Sequence, residues 1–175
     1  FYPAEPVKLS EVTQVRGVDA VILGITPFQY NPVTKELIVY RDLKVEVSFD
    51  GGGQFGENRL RNRWWDPILS DVLINYESLP DIDYTKRDYS SRSTGYEYLI
   101  ITPDDPVFIS WADTIRRFRN QQGIYTGIAT ITEVGGNTTT AIENYINNAY
   151  NTWDIPPAAV LLLGDYGSMG STIIS

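Results

Sequence analysis

The chain has 175 residues, 42% of them hydrophobic and 21% charged, with a formal net charge of -8 at pH 7. It contains no cysteine and no histidine, which excludes within these residues a disulfide, a cysteine-based zinc site, a cysteine nucleophile and a histidine general base. Residues 1–94 carry 11 Lys+Arg against 14 Asp+Glu, a balance of -3, and residues 95–175 carry 3 against 8, a balance of -5, so the second part offers no basic face to a nucleic-acid backbone.

Two textures follow one another along the chain. Residues 18–26 (VDAVILGIT) form a β-branched run closed by Pro27. In residues 35–49, Leu43, Val45, Val47 and Phe49 alternate with Lys44, Glu46 and Ser48, the period of a strand with one buried face. Asn31-Pro32 and Thr34-Lys35 between the two runs carry turn chemistry, so an antiparallel hairpin is expected. The glycine-rich stretch 50–56 then interrupts regular structure.

From residue 96 the pattern changes to strand and helix in alternation. Strands are expected at 96–102, 124–132 and 158–164, and helices at 106–123 and 137–153. Pro106 suits the first turn of a helix and Gly123 its end. Phe108, Trp111, Ile115 and Phe118 mark an apolar stripe on the first helix, and Ile142, Tyr145, Ile146 and Ala149 one on the second. Asn137, Thr139 or Thr140 could cap the second helix, with Glu143 available for a capping box. A β-α-β-α-β order implies parallel strands. The stretch 79–95 between the textures is rich in Pro, Asp, Ser and Gly and reads as an exposed linker open to proteolytic nicking, with Lys86, Arg87 and Arg92 as candidate cleavage points.

Each candidate functional residue has a plain structural alternative. Asp165 follows the third strand, where open α/β sheets place ligands. It is either a ligand, with calcium the cation suited to a carboxylate, or a turn cap. Asp104 and Asp105 precede the first helix and suit capping; no glycine-rich phosphate loop stands there. Arg59, Arg61 and Arg63, at a spacing of two, would share one face of a strand. They are either a solvated edge that discourages aggregation or a basic segment entering an acidic groove, with nucleic acid disfavoured by the acidic charge. Trp64, Trp65, Tyr76 and Trp111 suit a core or interface better than a carbohydrate platform.

The stretches YPAEPV (2–7), RGVDAVILGITPFQYNPVTKELIVYRDLKVEVSF (16–49) and the run from YEYLIITPDDP to AAVLLLGD (96–165) resemble the gingipain-type cysteine peptidases, peptidase family C25. The resemblance covers nearly the whole chain. It implies an α+β molecule in which residues 1–80 are the end of a β-rich, antiparallel, sandwich-like propeptide. Residues 81–95 would then be a linker with a processing site. Residues 96–175 would open a caspase-like α/β peptidase domain with a parallel sheet.

Function follows from the same resemblance. It implies the zymogen of a secreted or cell-surface bacterial cysteine endopeptidase acting on polypeptides, kept latent by its propeptide until cleavage. A Cys nucleophile and its His partner would lie downstream of the third strand, so this chain alone would be an inactive fragment of a longer polypeptide. Its start at Phe1, with no leader, and its lack of a bilayer-length apolar run fit that expectation. Asp165 is carried over as a structural calcium ligand, with the other ligands unassigned. Lys86-Arg87 is the preferred processing point and Arg92 the second. Arg59, Arg61 and Arg63 are expected to contribute the inhibitory contact of the propeptide. Two other readings are a non-catalytic surface or secretion-associated binding protein with a degenerate version of this fold, and a small nucleotide- or metal-binding α/β domain.

Overall fold

A computed structural model of the chain describes residues 1–49, 55–87, 89 and 94–165. They divide into two compact units, Phe1–Asn58 and Arg59–Ser175.

In the first unit, short strands pair antiparallel in twos. β1 (Val7–Leu9) pairs with β4 (Leu23–Ile25), β2 (Thr13–Val15) with β3 (Val18–Ala20), and β5 (Phe28–Asn31) with β6 (Glu36–Val39). The expected run 18–26 is therefore two strands. The turn lies at Asn31 and Pro32 as expected, but the first arm of the hairpin is β5 rather than the run 18–26, whose strands pair with β1 and β2. Asn31 Oδ1 accepts from the amides of Val33 and Thr34 at 3.0 and 3.3 Å, the local bonding that makes Asn a turn former. Lys35 takes a positive φ of 59° before β6 begins. Gln29 is buried and satisfied: its amide donates to the carbonyls of Pro3 and Ala4 at 2.7 and 2.9 Å and accepts from the Tyr40 hydroxyl at 2.5 Å.

The alternating stretch 43–49 departs from expectation, since it joins no ladder among the described residues. Asp42 adopts φ 56°, the left-handed region, directly after the last hairpin bond, from the Tyr40 amide to the Pro27 carbonyl. That turn carries the chain off the hairpin. Leu43, Val47 and Phe49 are exposed. Alternation supplies a side-chain pattern, but a strand also needs a backbone partner.

The second unit is built on a parallel three-stranded sheet in the order β8-β7-β9. Its strands are β7 (Tyr98–Thr102), β8 (Thr126–Thr130) and β9 (Ala159–Leu162), with Tyr98 level with Thr126 and Ala159. The central strand is the most apolar, and Leu99, Ile100 and Ile101 are fully buried. Leu99 and Ile101 pack with Ala129, Val134 and Ile142, and Tyr145, Ile146, Trp153 and Val160 surround that cluster. Of these, Val134 comes from α3 (Ile131–Val134), and Ile142, Tyr145 and Ile146 from α4 (Thr139–Thr152), so the expected apolar stripe of the second helix is the face that meets the sheet. Ile100 points to the opposite face by strand alternation.

α1 (Asp66–Val72) and a helical turn at Asn58–Leu60 precede the sheet and had no counterpart among the expected elements. α2 (Pro106–Gln121) lies against β7 and β8. Its buried position is Ala112, with Phe108 and Ile115 half-buried, while Trp111 and Phe118 are exposed. The expected stripe was thus displaced by part of a turn, because large residues drew it away from the small one that allows the helix close to the sheet. Asp105 caps α2, accepting from the amides of Val107 and Phe108 at 2.8 and 3.4 Å. The cap of α4 is Thr138, which accepts from the Ala141 amide at 3.2 Å, rather than Asn137, Thr139 or Thr140. The capping box lies earlier, between Thr130 and Glu133 of α3.

Gly127 on β8 leaves room for the Tyr96 ring, into which a Cβ at that position would collide. Tyr96 in turn packs on Tyr125 and Trp153, ring centroids 5.3 and 6.0 Å apart. Gly127→Ala is therefore expected to destabilise the chain by roughly 1–3 kcal/mol through overpacking, read by urea denaturation. The same substitution should cost less in a Tyr96→Ala background. Equal costs in the two backgrounds would show that the ring is not the obstacle.

Candidate functional site

Arginines 59, 61 and 63 lie where chain segments meet inside the second unit. Because Asn58–Leu60 is a helical turn, these residues do not share one face as they would in a strand. Arg59 goes to backbone carbonyls alone, and Arg61 and Arg63 each go to a different carboxylate.

Arg59 reaches the end of α4. It donates to the carbonyls of Tyr150, Asn151 and Trp153 at 2.9, 3.1 and 2.8 Å. The last carbonyls of a helix have no partner within it and carry the negative end of its dipole. α4 has no basic residue in its last turn; an arginine 91 residues before Tyr150 supplies the charge.

Arg61 is buried, contrary to a solvated edge, and its side chain is 3% exposed. It makes a two-pronged pair with Asp66, Nε to Oδ1 at 3.2 Å and Nη2 to Oδ2 at 2.9 Å, and donates to the Pro80 carbonyl at 2.7 Å. The Tyr84 hydroxyl donates to the same carboxylate at 2.6 Å. Burial and then this bond to Asp66 push the Tyr84 phenol well above its ordinary value. Burial works against the charge of Arg61, but hydrogen bonding and attraction to Asp66 outweigh it and its pKa is raised.

Arg63 meets Glu97, whose side chain is 2% exposed. The guanidinium donates from Nε to Oε1 at 3.2 Å and from Nη2 to Oε2 at 2.9 Å, and also to the Gly123 carbonyl. The Tyr89 hydroxyl and the Tyr125 amide complete the carboxylate's shell at 2.9 and 3.1 Å. Burial, then the neighbouring Glu97, raises the Tyr89 pKa. Beside this group the Trp65 indole donates to the Ala158 carbonyl at 3.2 Å, and Arg63 stacks 4.7 Å from the ring centre of Trp64. Trp65 thus works at an internal contact. Trp111 stands exposed on α2.

The partners of Arg63 and Trp65 share one location. Glu97, Tyr125 and Ala158 each immediately precede a strand of the sheet. The anchoring residues therefore sit at the N-terminal edge of a parallel sheet, whereas ligands in such sheets gather at the C-terminal edge.

At the C-terminal edge, Asp104 accepts from the amide and hydroxyl of Thr132, both at 2.9 Å, which ties the loop after β7 to α3. The Thr102 hydroxyl is buried there with no hydrogen-bond partner among the described residues. Asp165 is exposed, beyond the end of β9. Calcium takes six to eight oxygens, and among the described residues no group of three or more acidic side chains comes together.

The candidate cleavage residues differ from one another. Arg92 lies outside the described residues. Lys86 ends a helical turn, Tyr84–Lys86, with its side chain exposed. Arg87 is half-buried and donates to the carbonyls of Arg59 and Arg61 at 3.3 and 2.8 Å. Pro80, Tyr84, Arg87 and Tyr89 are thus each bound to their surroundings. Sequence reasoning missed Asp66, Glu97, Tyr84 and Tyr89, and it named Arg87 as a cleavage point without its bonds to the carbonyls of Arg59 and Arg61. The one signal for Glu97 was a lone acidic residue at the mouth of an apolar strand.

Two family models match the chain in tandem, and they meet at a different place from the compact units. Residues 1–81 match the family Propeptide_C25, and residues 91–174 match Peptidase family C25. Gingipain R2 of Porphyromonas gingivalis is 26% identical over 183 residues, covering 99% of this chain and 23% of the relative. Gingipain R1 of the same species is 25% identical over 182 residues, covering 99% of this chain and 17% of the relative. Lys-gingipain is 26% identical over 165 residues, 89% of this chain and 9% of the relative. The chain thus spans less than a quarter of the length of these relatives. No solved structure matches it.

Removing Arg63 would leave a buried carboxylate without its cation. Arg63→Ala is expected to cost about 2–4 kcal/mol, read by urea denaturation, and adding Glu97→Gln should recover part of the loss. Acid should weaken the same region through Asp154. The backbone amide of Thr94 and then its hydroxyl hold that carboxyl below its ordinary value. Its stabilisation is complete above the unfolded pKa of about 3.9 and disappears as pH falls through the lower folded value. The melting temperature should therefore drop below about pH 4, and more shallowly in Asp154→Asn. Equal slopes in the two proteins would remove Asp154 from the account.

Proposed function

We propose, from the premise that this chain belongs to peptidase family C25 and joins its propeptide to the start of its peptidase domain, that the parent protein is a secreted or cell-surface cysteine endopeptidase made as a zymogen. The observation that carries the reading is the tandem of family matches, propeptide over 1–81 and peptidase over 91–174. The interval between them contains Lys86 and Arg87. The first unit would belong to a sandwich-like propeptide and the parallel sheet to a caspase-like domain. No described helix is long and apolar enough to cross a membrane.

Polypeptides are the substrates this reading implies. A thiolate activated by an imidazole would attack the scissile carbonyl. Neither group exists among these 175 residues, so the proposal assigns both to the rest of the parent. The C-terminal sheet edge is where that apparatus belongs by the strand-end rule. Arg59 and Arg63 hold the propeptide's last segment to the peptidase portion away from that edge, and Arg61 braces the segment internally through Asp66 and Pro80, so their part in latency is retention, with the covering of the active site left to other propeptide residues.

The test is peptide hydrolysis by the full-length parent before and after cleavage within residues 82–95. Low activity before the cut, a rise after it and abolition by a thiol reagent are expected. A parent without a downstream Cys and His, or activity indifferent to thiol reagents, would overturn the reading. Arg59→Ala with Arg63→Ala should weaken retention of the cleaved propeptide at least tenfold in a binding assay. Unchanged retention would remove the arginines from that role.

A further inference from the structure

We propose that the processing bond is Lys86–Arg87, read by a lysine-directed protease, and that Arg87 is a clasp rather than a recognition residue. This rests on the zymogen reading and assigns different tasks to two adjacent basic residues.

A protease reading a basic residue draws that side chain into its own pocket, so the residue must be free to leave. The Lys86 side chain is 83% exposed, and its ion pair among the described residues, to Asp83 at 3.1 Å, joins it to a carboxylate that is itself 48% exposed. Such surface pairs hold little. The backbone to be opened is the single helical turn Tyr84–Lys86, closed by amide bonds of 3.2 and 3.4 Å. Arg87 is placed differently. Its guanidinium is shared between the carbonyls of Arg59 and Arg61 and lies 5.4 Å from the ring centre of Tyr84. Tyr84 is tied through Asp66 to the buried Arg61. Presenting Arg87 to a protease would strip two carbonyls of their donor and disturb that group.

The step is hydrolysis of one amide. The carbonyl carbon of Lys86 gains the hydroxyl of water, its bond to the Arg87 nitrogen breaks, and that nitrogen takes the proton. The clasp then spans the cut. Arg87, the new first residue of the downstream chain, still donates to carbonyls of the upstream one. Separation of the two chains therefore requires a second event at Arg87.

The experiment is limited digestion of the full-length precursor with a lysine-specific and separately an arginine-specific endoproteinase, against a control without added protease that reports any self-cleavage. New termini are read by intact mass. The lysine enzyme should cut after Lys86 at least tenfold faster than the arginine enzyme cuts after Arg87. Lys86→Arg should let the arginine enzyme cut after position 86 at the faster rate. If the arginine enzyme cuts the wild type after Arg87 as fast as it cuts the Lys86→Arg variant after position 86, the proposal is overturned. Resistance of Lys86 to the lysine enzyme in the folded protein would overturn it too. Because the readout is a cut position, it stands apart from whether the parent proves to be a latent peptidase.

Discussion

A carboxylate as deeply buried as Glu97, at the start of the central strand, must be met by fixed donors, because an isolated buried charge costs several kcal/mol. Here the donors are a two-pronged arginine, a tyrosine hydroxyl and a backbone amide. Arg63 comes from the propeptide side of the family boundary, and Tyr89 from the interval between the two family matches. The first strand of the peptidase portion therefore has its charge satisfied partly by chain that precedes that portion. The α4 terminus repeats the dependence, with its last carbonyls bound to Arg59.

This is why compactness and ancestry divide the chain at different places. The family matches break between residues 81 and 91, and the compact units break between Asn58 and Arg59. Arg59, Arg61 and Arg63 lie within the propeptide match and Arg87 and Tyr89 in the interval after it, yet their side chains complete the second unit. Arg87 adds to this by holding the carbonyls of Arg59 and Arg61. A boundary drawn from composition marks where the polypeptide is polar and cleavable. A boundary drawn from packing marks where few interactions cross.

The parts of the fold that were legible share a property: each is set by neighbours in sequence. The βαβαβ order, the hairpin turn at Asn31, the cap at Asp105 and the apolar stripe of α4 depend on residues within a turn or two. The misread parts depend on partners elsewhere. Alternation at 43–49 is as regular as in a true strand, but Asp42 turns the chain and no ladder forms among the described residues. Trp111 and Phe118 drew the apolar stripe of α2 away from Ala112, since hydrophobicity ranks large residues first while close helix–sheet approach favours a small one.

The sequence by itself determined the family, the order of the elements in the second unit and the absence of cysteine and histidine chemistry from these residues. It also singled out the three arginines as unusual, without assigning their partners. Only the tertiary structure decided those, because Glu97 is 34 residues from Arg63 and Tyr150 is 91 residues from Arg59. No local pattern encodes a pairing at that distance. It arises when the sheet brings the beginnings of its strands to one edge and leaves a buried carboxylate and a helix end in need of positive charge.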